Sequence, residues 1–176
     1  GLDLELFVHG ALCYCVSGRC WWSSYMGGKS GLRGRCVQPC RRVYAQQGRS
    51  SRYFSCLDLS LDALAARLTA LPRIRSWKIE GRKKSPHYVY YVTSAYRLRR
   101  DEPGNPEARK EAQRILGLAL GRTGTSARFL EGRREAVTAP KGAHTSSGLL
   151  AGKVAGSREE GYVLMPRIDL LPRDYL

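Results

Sequence analysis

Six cysteines in the first third of the chain constrain its fold more than any other feature. They are Cys13, Cys15, Cys20, Cys36, Cys40 and Cys56. The first five lie within 28 positions and are interspersed with glycines, which argues against a long helix or strand in this part of the chain. With Cys15 set aside, the spacing is C-x6-C-x15-C-x3-C. We expect such a segment to fold around a compact object.

Three explanations fit this spacing, and the spacing alone leaves them open. Disulfides suit an even number of cysteines, but an intracellular chain keeps its thiols reduced. Four thiolates would also satisfy zinc, although the paired C-x2-C knuckles that zinc prefers are missing from the sequence. An iron–sulfur cluster tolerates wider and less even spacing, so the pattern favours a cluster over zinc or disulfides.

The charge balance indicates an anionic partner. The chain has 30 Lys and Arg against 15 Asp and Glu, and its formal net charge is +15. Of the basic residues 23 are Arg, which binds phosphate and carboxylate groups in a bidentate manner. The alternative is a surface that charge merely keeps soluble. A hydrophobic content of 43% excludes wholesale disorder.

The chain shows no sign of membrane insertion or export. No apolar run approaches the roughly 18 residues that a membrane-spanning helix needs. The first nine residues alternate like a strand and lack the pattern of a signal peptide, so we expect a cytoplasmic protein. Because the sequence begins at Gly1 and stops at Leu176 inside apolar patterns, we also expect a fragment of a longer chain.

Hydrophobic patterning predicts an α/β fold in which strands and helices follow one another. The predicted elements are a strand at 4–9, a helix at 57–68, a strand at 74–80, helices at 86–100 and 107–120, and short strands at 149–154 and 162–165, with a turn at 156–161 between the last two. Ser85 and Pro86 suit a helix cap and the first helical position. A change in composition predicts a domain boundary near residue 140, with one unit over 1–140 and the start of a small β domain over 141–176.

Three blocks of sequence resemble one known family. They are ELFVHGALCYCVSGRCWWS at 5–23, RGRCVQPCR at 33–41 and WKIEGRKKSPHYV at 77–89. The first is similar to the signature of the peptidase U32 family, E-x-F-x2-G-[SA]-aliphatic-C-x4-G-x-C-x-aliphatic-S, and the other two follow in the family's order. One position departs from the pattern, since Trp22 stands where the family has an aliphatic residue.

The resemblance implies a fold and a cofactor. The fold would be the C-terminal part of an incomplete TIM-like (β/α) barrel with a cysteine-rich loop, without the elements that precede Leu4 in a whole member, followed by the start of a small β domain. The cofactor would be a 4Fe-4S cluster, and its ligands would be Cys13, Cys20, Cys36 and Cys40. Cys15 and Cys56 are then expected to be small buried hydrophobic residues, with Cys56 as the better substitute ligand.

Lys78, Glu80 and Arg82 are the candidate catalytic residues. Alternation places them on one face of a strand at its carboxyl end, where barrel enzymes gather their working groups. Lys78 and Arg82 would bind a carboxylate or phosphate, while Glu80 would orient a substrate or move a proton. The alternative is an ion-pair network that braces the strand end. The resemblance favours the site, because the KIEGR block is shared with the family.

The predicted helix at 86–100 combines arginines with tyrosines, a combination that suits RNA. The basic residues around this helix and the strand at 74–80 are Arg73, Arg75, Arg82, Lys83, Lys84, Arg97, Arg99 and Arg100, and the interleaved tyrosines are Tyr88, Tyr90, Tyr91 and Tyr96. In the alternative interpretation the tyrosines only pack, and Val89, Val92 and Tyr96 form a core stripe.

The family resemblance implies oxygen-independent hydroxylation of an RNA base, a tRNA uridine or an rRNA cytidine, with prephenate as the hydroxyl donor. Two alternatives remain. One is a protease, as the family name says, although the sequence has no His-Glu-x-x-His or Gly-x-Ser-x-Gly motif and offers only a conceivable pair of Cys13 with His9. The other is a non-catalytic iron–sulfur or RNA-binding subunit.

Overall fold

The computed structural model describes residues 1–81, 84–127, 129, 152–159, 161–167 and 169–170, which form a mixed α/β fold. The strands are β1 Leu4–Ala11, β2 Tyr44–Gln46, β3 Arg49–Ser51, β4 Asp58–Ser60, β5 Ile74–Ile79, β6 Gly124–Thr125, β7 Gly152–Arg158 and β8 Gly161–Pro166. The helices are α1 Trp22–Gly27, α2 Ala65–Thr69, α3 Pro86–Asp101 and α4 Pro106–Leu118. Short 3-10 turns lie at Gly31–Arg33, Pro39–Arg41 and Asp62–Leu64.

The main sheet has four strands in the order β5-β1-β4-β6. β1 runs parallel to β5 and antiparallel to β4, and β4 runs parallel to β6. The strands predicted at 4–9 and 74–80 are therefore confirmed. At the carboxyl end of β1, Ala11 pairs with Asp58 of β4. The chain that carries five of the six cysteines leaves the sheet at this end.

The helix predicted over 57–68 is wrong in its first half. Asp58–Ser60 form strand β4, and helix α2 covers only Ala65–Thr69. The leucines of this stretch are spaced at every second position before they adopt helical spacing, and the edge of β1 supplies the partner that a strand needs. In the resulting structure Leu59 and Leu61 both lie in the core.

The helices predicted at 86–100 and 107–120 are confirmed as α3 and α4. The Oγ of Ser85 accepts a hydrogen bond from the backbone nitrogen of Tyr88 (3.2 Å), as expected for an N-cap before Pro86. Asn105 caps α4 in the same way, accepting from the backbone nitrogen of Glu107 (2.9 Å). Local sequence therefore sets where both helices begin.

Helix α3 covers one face of the sheet through a buried stripe. The predicted stripe is correct for Val92 and Tyr96, which are buried, and wrong for Val89, which is 40% exposed, while Tyr88 is buried instead. The Tyr96 hydroxyl donates to the carbonyl oxygen of Val8 (2.8 Å), and Trp77 of β5 packs edge-on against the Tyr96 ring. The core residues are Val8, Leu59, Leu61, Leu68, Tyr88, Val92, Tyr96 and Ala119.

Strands β7 and β8 form an antiparallel hairpin near the end of the chain. Two strands were expected here, but β7 extends through Arg158, so the turn predicted to start at residue 156 starts too early. The start of the predicted strand at 149–151 and the proposed boundary near residue 140 lie outside the described residues. Within the described part of the chain, no helix combines the length and the apolar character needed to cross a membrane.

Candidate functional site

The four cysteines that the family resemblance singles out line one cavity of about 290 Å³, here called the cysteine cavity. Its lining consists of Cys13, Tyr14, Cys15, Val16, Ser17, Gly18, Cys20, Trp22, Gly31, Leu32, Cys36, Pro39 and Cys40. Cys15, which was expected to be a buried hydrophobic residue, also faces this space and is half-buried, whereas Cys56 is buried in the core. The structure therefore brings together thiols that are up to 27 residues apart in sequence.

Helix α1 shapes one wall of the cysteine cavity. The buried Ser23 accepts a hydrogen bond at its Oγ from the backbone nitrogen of Val37 (2.7 Å), which ties α1 to the segment between Cys36 and Cys40. Trp22 packs edge-on against Phe54, with ring centroids 5.0 Å apart. An aromatic cluster thus fills the space behind Trp22, where the family pattern has an aliphatic side chain.

The Arg41 side chain connects three backbone segments around the cavity. Its guanidinium donates to the carbonyl oxygen of Leu12 (2.8 Å) and to that of Cys56. Leu12 directly precedes Cys13, and Arg41 directly follows Cys40. These hydrogen bonds fix the backbone at Cys13 relative to the backbone at Cys40, although the two residues are far apart in sequence.

The thiols have the donor chemistry that an iron–sulfur cluster needs. The backbone nitrogen of Gln38 donates to the Sγ of Cys36 (3.3 Å). Burial raises the pKa of Cys40, against the opposing charge of Arg41, and the neighbouring thiols of Cys13 and Cys36 add to the rise. Four cysteines around one cavity match a thiolate-ligated cluster in the number and type of its ligands, but not in their spacing. Among the described residues, no three His, Cys, Asp or Glu side chains are arranged to hold a metal ion.

A second cavity of about 600 Å³, here called the charged cleft, adjoins the first. It is lined by Ala11, Leu12, Cys13, Gly34, Cys36, Gln38, Cys40, Arg41, Glu80, Lys84 and Arg122. Cys13, Cys36 and Cys40 border both cavities. Acidic and basic side chains therefore line the same cleft as three of the four cysteines. The cleft is of the size that takes small ligands.

A buried carboxylate organises the cationic side of the charged cleft. Asp58 is 1% exposed, and its Oδ1 accepts from the Nε of Arg122 (2.8 Å). The Nζ of Lys84 lies 3.5 Å from the other carboxylate oxygen. A buried carboxylate of this kind needs paired cations to offset its desolvation. Asp58 consequently fixes both cations where they line the cleft.

Of the candidate catalytic residues, Glu80 lies in the charged cleft and Lys78 lies outside it. Glu80 lines the charged cleft, and it packs so closely on Gly10 that a Cβ there would lie 2.5 Å from the Glu80 Cβ. Gly10 also has a φ of 130°, so glycine is required at this position. Lys78 is exposed outside both cavities, and its Nζ pairs with the Glu5 carboxylate (2.6 Å). Arg82 lies outside the described residues.

His9 is a half-buried base close to the same site. It lines a small cavity of about 220 Å³ together with Cys13 and Glu80. Burial lowers the pKa of His9 to about 4, although the charges of Asp58 and Asp62 oppose this effect. Its Nδ1 lies 3.3 Å from the Tyr96 hydroxyl. His9 is therefore neutral at neutral pH, and its Nδ1 lies within hydrogen-bond distance of a tyrosine hydroxyl.

The basic and aromatic region around α3 is largely used for structure. Tyr88 and Tyr96 are buried, and Arg99 is 3% exposed with its Nε near the carbonyl oxygen of Asp62 (3.4 Å). Among the described residues, the side-chain ion pairs of this region are Arg75 with Asp3, Lys84 with Asp58, Arg97 with Asp101, and Arg100 with Asp101. The packing interpretation is correct for the two buried tyrosines.

Sequence reasoning missed the structural roles of Arg41, Asp58 and Arg122. Arg41 stands in the C-V-Q-P-C-R block, so its place beside a cysteine was a usable signal. Asp58 is an acidic residue inside a run of leucines, which would have marked a buried charge if the run had been interpreted as a strand. Arg122 comes from the segment before β6, and no local pattern connects it with Asp58.

These features define an α/β protein with a thiol-lined cavity beside a charged cleft. Comparison with protein families narrows this class of protein to one family, because the model of peptidase family U32 matches residues 1–139. The chain belongs to the peptidase U32 family, which confirms the resemblance. No solved structure matches the chain.

Relatives carry names of two kinds. The chain is 34% identical over 117 residues to a tRNA hydroxylation protein P of Helicobacter pylori, covering 57% of this chain and 28% of the relative. It is 42% identical over 100 residues to the 23S rRNA 5-hydroxycytidine synthase of Escherichia coli, covering 53% and 15%. It is 37% identical over 103 residues to a collagenase of Porphyromonas gingivalis, covering 53% and 25%. The aligned part is thus at most 28% of these relatives' lengths.

Proposed function

We propose that this chain is part of an iron–sulfur enzyme that hydroxylates an RNA base, a tRNA uridine or an rRNA cytidine, without dioxygen. The observation that carries the proposal is that Cys13, Cys36 and Cys40 border both the cysteine cavity and the charged cleft. A redox group on these thiols would adjoin a cleft that can take a small substrate. In this proposal the four-stranded sheet and its helices are one portion of a β/α barrel, with a cysteine-rich loop at the carboxyl end of β1.

A 4Fe-4S cluster is the cofactor that the thiols suit best. The ligands in this proposal are Cys13, Cys20, Cys36 and Cys40. When bound, such a cluster supplies electron-transfer chemistry. The protein tunes it through its surroundings, because the backbone nitrogen of Gln38 donates to the Cys36 sulfur and hydrogen bonds to cluster sulfurs adjust reduction potential. Trp22 and Leu32 line the same cavity and would limit the access of water.

The charged cleft is the proposed site for prephenate as hydroxyl donor. Prephenate is a dicarboxylate, and Arg41, Lys84 and Arg122 place three cationic side chains along the cleft. Glu80 faces the same space, where it can orient the substrate or accept a proton. Lys78 and Arg82 remain predicted contributors.

Two observations support RNA as the substrate. Relatives are named for tRNA hydroxylation and for rRNA hydroxycytidine synthesis, and a net charge of +15 suits a polyanionic partner. Because these RNA molecules act in the cytoplasm, the proposal places the protein there.

The first test is the metal content of the whole protein after anaerobic purification. We expect about four iron and four sulfide per chain, together with the broad visible absorption of a cluster. Cys36→Ser should lose the iron. Cys15→Ser is the matched control, because Cys15 lines the same cavity and lies outside the proposed ligand set. Zinc, or iron that survives Cys36→Ser, would contradict the cluster.

The second test concerns the reaction. We expect Glu80→Gln to abolish the hydroxylated nucleoside in the RNA of a deletion strain that carries the variant, while the iron content stays normal. Glu107→Gln, an exposed residue on α4, is the control and should leave modification intact. If Glu80→Gln binds RNA and leaves its modification unchanged, the result would favour a non-catalytic RNA-binding subunit.

Proteolysis is the second candidate function, because one relative is named a collagenase. Among the described residues, Cys13 and His9 are a pair of the required kind, and they line one small cavity. A hydrolase of this kind should cleave gelatin after the iron has been removed and should lose that cleavage in His9→Gln. Cleavage that depends on bound iron, or no cleavage at all, would contradict this candidate.

A further inference from the structure

The cysteine segment is defined as residues 13–56. Its positive charge is not paired in salt bridges with carboxylates elsewhere in the described part of the chain. It contains eight Lys and Arg and no Asp or Glu. Six of the eight are exposed: Arg19, Lys29, Arg33, Arg35, Arg42 and Arg49. The salt bridges of the described residues all lie outside this segment. Its six exposed cations are therefore available to an external anion, whereas Arg41 and Arg52 donate to backbone carbonyl oxygens.

Two large aromatic side chains project from the same segment. Trp21 is 66% exposed and Tyr25 is 89% exposed. The backbone nitrogen of Tyr25 donates to the carbonyl oxygen of Trp21 (3.0 Å), so the two residues are one helical turn apart and share a face of α1. Exposing two large aromatic rings to water is unfavourable, and a binding partner that covers the rings removes this cost.

The outward position of these rings is fixed by the inward position of their neighbours. Trp22 packs against Tyr44 and Phe54, and Ser23 is fully buried. With these two residues turned inward, the helix directs Trp21 and Tyr25 away from the protein. The inward packing of Trp22 and Ser23 therefore keeps both rings on the exposed side of α1.

The exposed face lies beside the cysteine cavity. Cys20 and Trp22, which flank Trp21 in sequence, both line that cavity. A Cβ at Gly31 would lie 3.8 Å from the carbonyl oxygen of Cys20 and from the Cβ of Cys36, which places the basic turn Gly31–Arg33 at the same cavity. Trp21 and Arg33 are thus each next in sequence to residues that line the cysteine cavity, Trp22 and Leu32.

We propose that the exposed face of the cysteine segment binds unpaired RNA, with bases stacked on Trp21 and Tyr25 and phosphates paired with the surrounding Arg and Lys side chains. This inference rests on the proposed RNA function and specifies the surface that carries out binding. Aromatic rings among unpaired cations are the combination that single-stranded nucleic acid requires. A lipid headgroup or an acidic peptide would use the cations but would not need two exposed rings on one helix face.

The test measures binding of a labelled single-stranded oligouridylate to the whole purified protein by fluorescence anisotropy. We expect the double variant Trp21→Ala with Tyr25→Ala to weaken binding at least about tenfold, from the usual contribution of base stacking. Trp21→Phe with Tyr25→Phe keeps both rings and should bind within a few-fold of the wild type. Tyr90→Ala is the matched control, since Tyr90 is a 67% exposed tyrosine on α3.

The outcomes separate this inference from the proposed function. If the wild type binds the oligouridylate and the alanine double variant binds equally well, the surface is wrong while RNA binding stands. If Tyr90→Ala weakens binding as much as the double variant, α3 shares the interface and the assignment to the cysteine segment is overturned. If the wild type binds heparin but neither oligouridylate nor tRNA, both proposals fail. Iron content and circular dichroism, unchanged in the double variant, exclude misfolding as the cause of a loss.

Discussion

Two regions of this chain combine arginine with aromatic residues, and they use them in opposite ways. Around α3 the Tyr96 hydroxyl accepts a hydrogen bond from the backbone nitrogen of Leu61 (2.9 Å), and Arg99 is almost fully buried. In the cysteine segment Trp21 and Tyr25 face solvent. The first region uses these residue types for packing, whereas the second exposes them to solvent.

The difference comes from the acidic residues within reach. Helix α3 ends with Asp101, which pairs with Arg97 and Arg100, while Lys84 just before the helix pairs with Asp58. The cysteine segment has no acidic residue at all. Composition alone predicts a nucleic-acid surface in both places. The position of carboxylates decides which of the two retains free positive charge.

Asp58→Asn is expected to have the largest effect, because Asp58 is a buried carboxylate that pairs with two cations. Loss of its charge would leave Lys84 and Arg122 close together without their counterion. Breaking a buried ion pair in this way costs about 3–5 kcal/mol of unfolding free energy, measurable by urea denaturation. Asp101→Asn removes an exposed carboxylate and should cost less than about 1 kcal/mol. Equal losses in the two variants would show that burial does not separate these carboxylates.

His9 should make stability depend on pH. The pKa of His9 is about 4 in the folded protein and 6.5 as its ordinary value, so the unfolded chain binds this proton first as pH falls. The histidine's contribution is complete above pH 6.5 and is lost progressively toward pH 4, with a limit of about 3 kcal/mol. Asp58, Asp62 and Lys84 are the charged groups that act on it.

The measurement is the difference in unfolding free energy between wild type and His9→Gln across that pH range. This difference removes the contribution of carboxylates that titrate in the same range. His87→Gln is the control, since His87 is exposed on α3. A difference that is constant with pH would contradict a lowered pKa of His9 in the folded protein.

Tyr96→Phe tests whether the buried tyrosine hydroxyl of α3 stabilises the folded protein. The Tyr96 hydroxyl accepts from Leu61 and donates to Val8, so its loss would remove two buried hydrogen bonds, while the backbone nitrogen of Leu61 would still donate to the carbonyl oxygen of Val8 (2.9 Å). We expect a loss of about 1–3 kcal/mol by urea denaturation. Tyr90→Phe, on the exposed side of the same helix, should change stability by less than about 0.5 kcal/mol. A large effect of Tyr90→Phe would mean that the exposed tyrosines also support the fold.

The parts of the fold that sequence predicted are those with local causes. The start of α3 follows from Ser85 and Pro86, and β1 follows from strict alternation. Strand β4 could not be predicted from its own residues, because its identity depends on hydrogen bonds to β1, about 50 residues earlier in the chain. The same leucine spacing fits a helix until that partner is known.

The candidate site shows the same division. Cysteine spacing and family blocks identified the thiols that line one cavity. The charged cleft could not be foreseen, since Arg122 and Asp58 are 64 positions apart and Arg41 reaches Leu12 across 29 positions. Alternation grouped Lys78 with Glu80. In the structure Lys78 instead forms an ion pair with Glu5. This pairing depends on the register of β1 and β5, which the sequence alone does not give.

Arg33→Gln should have the smallest effect on stability and the clearest effect on binding. Arg33 is exposed and takes part in none of the salt bridges of the described residues, so its loss should change unfolding free energy by less than about 0.5 kcal/mol. If it contacts one RNA phosphate, the slope of log affinity against log salt should become shallower by about 0.7.

The matched variant in the other region is Arg97→Gln, which removes an arginine paired with Asp101. It should leave the salt slope for oligouridylate unchanged, because the Arg97 charge is already compensated within the chain. The contrast between the regions would fail if Arg97→Gln reduced the slope while Arg33→Gln did not. The phosphates would then lie along α3, and the free charge of the cysteine segment would require another partner.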